Sequence, residues 1–366
     1  MIHNPEDARY NFCHRLQKCE LHAHLNGSIR IQTLNELIQK AKYSDAEVQR
    51  VQILNDDDRS LDECFRIFDM IYKVVRTPET IRRIMRETLE DFEKDNVVYV
   101  EIRTTPRRDV MSADEYVRAA VEGIIEYEHN ANKVRIGNTS CNPTTKARLL
   151  LSINRTSTLE DAFGTVEVAN KYFYKDKNEG ENNKYNRVVG VELSGNPAKG
   201  QFKTFLPALE RAKSYGIPIS IHTGEVFNPD EVFDILEFCP DRLGHALYLG
   251  QDNINRLLSM KNPIPIEICP TSNTRNLQLN DLSEHPTLQT WLLKQYPISL
   301  NTDDSVLFST TLTNEYYKVA KTFNLSDQDL ERLCLNVWDQ IFDSHVKMKR
   351  VGCKKESQKI CLKCKI

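Results

Sequence analysis

His22 and His24 stand two residues apart in CELHAHL, His222 opens HTGE, and Asp303 begins the acidic pair of NTDDS. Three imidazoles and a carboxylate suit zinc and hold it with room for a water. An ion held this way lowers the pKa of that water from about 15.7 toward about 7, making hydroxide available at neutral pH. The 188–193 run and the run that follows it carry no lysine that could become a carbamate bridge. One zinc ion per chain is therefore expected, not two. Glu225, three residues beyond His222, is the candidate acid: hydroxide addition to an aromatic ring carbon requires the adjacent ring nitrogen to take a proton. His245 in RLGHAL is the candidate for orienting or deprotonating the water. Asp304 is free to hold a ring nitrogen or relay a proton while its neighbour binds metal. Each feature also has a purely structural reading when taken alone. The histidine pair could be satisfied inside a half-buried strand, Glu225 could stabilise a helix N-terminus, and the aspartates could cap a helix.

Chemistry of this kind needs elements that bring distant residues together. Short β-branched runs alternate with helical stretches along the chain, at 18–24, 97–103, 148–153, 188–193, 217–222, 242–246, 264–269 and 298–301, the pattern of βα units on a parallel sheet. Eight runs predict a (β/α)8 TIM barrel. Nearly every run ends in polar or ionisable residues, and the C-terminal strand ends of such a barrel meet at one mouth, where catalytic residues sit. His22 and His24, two apart on a strand, point to the same side.

The 366 residues carry 40% apolar and 28% charged side chains and a formal charge of −3. This describes an ordinary globular protein with material for a large core, not a disordered chain or a generally basic nucleic-acid binder. The partner is expected to be a small molecule, with no nucleic acid and no membrane, and the chain to act as a monomer. No signal-like apolar segment opens the sequence and no run of about 18 apolar residues occurs, so a soluble cytosolic (cytoplasmic) protein is expected. The ten cysteines are scattered and read as reduced thiols. The Cys361/Cys364 pair lacks two further soft ligands for a zinc site. One domain is expected over 1–366, with its core at about 15–345, a hydrophilic surface insertion at 175–185 and a flexible basic tail at 347–366.

HAHLNGS at 22–28, SGNP at 194–197, HTGE at 222–225, LGHAL at 243–247 and NTDDSVLF at 301–308 resemble the ordered motif set of the adenosine deaminase family, metal-dependent hydrolases. With ECFRIFDMI at 63–71 and YVEIRTTPRR at 99–108, the chain is similar to the adenosine deaminase-like branch, the N6-methyl-AMP deaminases. The resemblance runs from about Cys19 to Phe342. It implies zinc on His22, His24, His222 and Asp303, a proton donor at Glu225, a histidine beside the attacking hydroxide at His245, and substrate contacts from His24, Gly195 and Asp304.

Deaminases of the nucleoside branch resemble HxHLDG at the first motif, with an aspartate where this chain has Asn26. A carboxylate there would repel a 5′-phosphate. Thr104, Thr105, Pro106 and Arg107 at the end of the second strand are candidates for holding that phosphate, with Arg108 assisting. Asn154 stands where the branch usually has aspartate and can still bond sugar hydroxyls. Tyr72 stands where a histidine is expected and is given no role in the site, since an aromatic at this spacing on an amphipathic helix more often belongs to the core. The expected activity is hydrolytic deamination of N6-methyl-AMP to IMP and methylamine. The alternatives are deamination of adenosine to inosine and ammonia, and a purine-binding barrel without catalysis.

Overall fold

The computed structural model describes residues 7–42, 61–136, 144–173 and 185–347. Residues 175–184 of the insertion expected at 175–185, and 348–366 of the tail expected at 347–366, with Cys361 and Cys364, lie outside them. Eight parallel strands run in the order of the chain: β1 Lys18–His24, β2 Val97–Thr104, β3 Lys146–Asn154, β4 Val188–Ser194, β5 Ile219–Thr223, β6 Arg242–His245, β7 Ile266–Ile268 and β8 Ile298–Leu300. Each pairs with the next. Just past β8, the Asp303 amide donates to the His22 carbonyl and the His24 amide donates to the Asp303 carbonyl, both at 2.8 Å. This bridge joins the first strand to the end of the last, so the sheet forms a (β/α)8 barrel with helices outside it.

Several boundaries differ from the sequence reading, and prolines explain two of them. β5 begins at Ile219 and not at 217, because Pro218 has no N–H to give the ladder, although its carbonyl still accepts from Val191 at 3.0 Å. β7 is trimmed to three residues between Pro265 and Pro270 in the same way. The helices carry start signals of their own. Thr158 with Asp161, and Ser326 with Asp329, form reciprocal capping boxes at the heads of Leu159–Tyr172 and Asp327–Val337.

Strand alternation divides the buried residues into two sets. One set, including Ile102, Leu149, Leu151, Val191, Leu193, Ile221 and Ile268, packs into the main apolar core. The other fills the lumen with charge. Glu101, Arg103, Glu192, Arg242 and Glu267 are all 0% exposed, where such barrels are usually filled by branched aliphatic residues. Arg103 pairs with Glu192 and Glu267, and Arg242 pairs with Glu101 and Glu267 at 2.7 and 2.6 Å. A buried charge is tolerable only when paired in this way. Among the described residues no helix is long and apolar enough to cross a membrane.

Candidate active site

The C-terminal ends of the strands surround a cavity of about 340 Å³. At its floor, His22, His24 and His222 each offer a ring nitrogen within 4.8 Å of the others. Asp303 Oδ1 lies 3.5 Å from His22 Nε2 and 3.4 Å from His24 Nε2. The His22 Nδ1 is held at 2.6 Å by Glu267, whose other contacts are the donors Arg103, Arg242 and Ser220. That carboxylate is acceptor-only, so His22 carries its proton on Nδ1 and turns the Nε2 lone pair into the cluster. This Nε2 is buried and meets no hydrogen-bond donor. An orphaned acceptor among two further imidazoles and a carboxylate fits a divalent metal ion. Close approach of His22 and His222, with ring centroids 4.6 Å apart, requires Gly244. A Cβ there would fall 3.0 Å from one ring and 3.1 Å from the other.

Glu225 and His245 stand beside this cluster. Glu225 lies 3.5 Å from His222 Nδ1 and 3.8 Å from His245 Nε2. His245 and Asp303 hold left-handed backbone angles, with φ of 59° and 60°, a conformation that L-residues keep only where the surroundings impose it. The Asp303 carboxylate also accepts from Ser272 Oγ at 2.6 Å. Burial would raise its pKa, but the His22, His245 and His24 imidazoles around it hold it well below the usual carboxylate range. Asp304 goes the other way, pushed well up by burial and by the adjacent Asp303. Burial pushes His24 down to about 3. His222 is held up at about 10 against burial by the Glu192 and Glu225 carboxylates.

Around the mouth the cavity is lined by His24, Asn26, Thr104, Thr105, Asn154, Gly195, His222, Glu225, His245, Asp303 and Asp304, so most residues singled out in the sequence converge. Pro106 and Arg107 do not line it. Asp109 engages Arg107 through both carboxylate oxygens. The guanidinium lies 4.6 Å over the Tyr72 ring and donates to the Tyr72 carbonyl at 3.2 Å. Arg108 is likewise turned outward, 3.5 Å from Asp161. Tyr72 is not a core aromatic: it faces the cavity beside Asn26, and Arg107 packs behind it.

Lys199, Phe68, Asn276 and Phe308 also line the cavity and were not singled out in the sequence; Glu192 and Glu267 beneath it were missed as well. The signal for the two glutamates was present, since VVGVELS and PIEIC each place one carboxylate inside an otherwise apolar run.

The adenosine deaminase family model matches residues 17–350. The N6-mAMP deaminase of Arabidopsis thaliana is 38% identical over 344 residues, which are 89% of this chain and 92% of that protein. Arabidopsis ADAL complexed with IMP superposes with a TM-score of 0.81 at 36% identity, covering 95% of this chain and 99% of that one. The GMP complex of the same protein gives 0.82 at 36% identity and the same coverage. A match over nearly the whole barrel, falling on the strand ends that gather the histidines, makes this enzyme a deaminase of the adenosine deaminase family, in its adenosine deaminase-like branch.

Proposed function

We propose that this enzyme hydrolyses N6-methyl-AMP to IMP and methylamine with one zinc ion per chain. The observation that carries the reading is the pairing of a histidine and aspartate cluster, on the floor of the cavity, with an amide at Asn26, where a carboxylate would repel a phosphate. The relative described as an N6-mAMP deaminase and the ADAL complexes with IMP and GMP support a purine nucleotide as substrate.

His22, His24, His222 and Asp303 would hold the zinc, which supplies a water acidic enough to attack at neutral pH. Glu225 faces purine N1 and delivers a proton there as C6 is attacked, so that the ring can accept the electrons. The leaving methylamine departs with a proton, and the C6 oxygen remains. Asp304, with a buried and unpartnered Oδ1, bonds a second purine nitrogen, and the backbone at Gly195 contacts the base from the far side. Asn154 Oδ1 is occupied by the Thr156 amide and hydroxyl at 2.9 and 2.7 Å. Its Nδ2 is the group that meets a ribose hydroxyl. The 5′-phosphate lies toward Thr104, Thr105 and Lys199, and Arg107 contributes by fixing Tyr72. Incubation with N6-methyl-AMP is expected to yield IMP and methylamine in equal amounts. Chelator-stripped protein should yield neither until zinc is restored. Full turnover by the stripped protein, or products in another ratio, would contradict this.

A further inference from the structure

Which nitrogen of His245 carries the proton decides whether the residue can accept a proton from water or only donate a hydrogen bond to it. Hydrogen bonds anchored on backbone amides determine it, because a main-chain N–H cannot exchange roles. The chain of contacts begins at the turn before the 288–293 helix. The amides of Thr287 and Leu288 both donate to His285 Nδ1, at 3.3 and 3.1 Å. That nitrogen is therefore the bare one, and His285 Nε2 carries the hydrogen. It donates to Asn273 Oδ1 at 3.1 Å. The Cys269 amide donates to the same oxygen at 3.3 Å, so two independent donors fix the Asn273 carboxamide. Its Nδ2 then points at His245 Nδ1, 3.0 Å away. An amide nitrogen only donates, so His245 Nδ1 accepts. The three side chains are 0 to 4% exposed, and water does not offer an alternative partner.

We infer that Asn273, anchored by the Cys269 amide and His285, is a positioning residue that locks His245 as the Nε2–H tautomer, a hydrogen-bond donor toward the reacting oxygen and not a base. Nε2–H faces Glu225 and the metal cluster. The proton lost by the attacking water then goes to the Glu225 carboxylate, which returns it to N1. One water adds across the C6–N1 bond with its atoms accounted for. This deepens the proposed reaction but depends on the site and not on which purine enters it, so a different substrate preference would leave it standing.

The test uses metal-loaded, full-length protein labelled with ¹⁵N in the histidine rings. Nitrogen–proton correlation spectra distinguish the two neutral tautomers, and His245 signals are assigned by their loss in His245→Asn. The expected spectrum shows a bare Nδ1 and a protonated Nε2 for His245. In Asn273→Asp the new carboxylate can only accept, so Nδ1 becomes protonated, and kcat falls roughly a hundredfold with KM and metal content unchanged. Two results would overturn the inference. One is a protonated Nδ1 in the unmodified protein, which needs no variant to observe. The other is an Asn273→Asp protein that has gained the Nδ1 proton yet keeps its full kcat.

Discussion

At the scale of single residues, the site is built from acceptors and donors left facing one another across a small space. Asn26 shows this most simply. Its Oδ1 is buried without a donor and it lines the cavity next to Tyr72. Replacing the amide by a carboxylate adds one negative charge where the proposed substrate brings its phosphate. At about 5 Å and an effective dielectric of about 20, the repulsion is about 3 kcal/mol. Asn26→Asp is thus expected to lower kcat/KM for the monophosphate about a hundredfold while changing the value for the unphosphorylated nucleoside little. Steady-state kinetics on the two substrates check this, and equal losses on both would sink it. The residues that form the site were largely legible in the sequence because each sits in a short polar motif after an apolar run. Arg107 was legible as a cation but not as a partner of Asp109, only two residues away. Spacing alone does not say whether a guanidinium turns inward or pairs with its neighbour.

Elements decide what motifs cannot. All eight strands were readable from alternation and β-branching, and their order around the barrel follows the chain. The charged lumen was not readable, because its contacts join positions far apart: His22 and Glu267 are separated by 245 residues, and Arg103 and Glu192 by 89. Only the closed barrel brings them into register. The short 3-10 turn Asn26–Ser28 after β1 illustrates how an element positions chemistry. The Val306 and Leu307 amides both donate to the Gly27 carbonyl, at 3.0 and 3.2 Å, which clamps the turn onto the loop after β8. A Cβ on Gly27 would fall 1.8 Å from Asp304 Oδ1. Gly27→Ala must therefore displace Asp304 or open the clamp. Displacement of a substrate-orienting group by about 1 Å costs roughly a hundredfold, so kcat/KM should drop by that order in protein that still retains its metal. A variant of unchanged activity would mean that Asp304 makes no contact that matters.

For the whole molecule, function and stability share the same buried polar groups. Burial pushes His285 down to about 4 from an ordinary 6.5, so the folded state holds it neutral while the unfolded chain takes up a proton as pH falls below 6.5. Its contribution is fully present above that pH and is lost as acid approaches pH 4, about 2 kcal/mol by pH ~5. Thermal unfolding of the unmodified protein should show a steeper loss of Tm between pH ~7 and pH ~5 than His285→Gln. Parallel curves would show that His285 is not held neutral. The central claim, however, concerns what the barrel mouth was shaped to accept, and the most direct measurement is kcat/KM of the zinc-loaded enzyme for N6-methyl-AMP, AMP and adenosine under one condition. The account predicts that N6-methyl-AMP is turned over with the highest kcat/KM and adenosine with the lowest. Adenosine as the best of the three would contradict it.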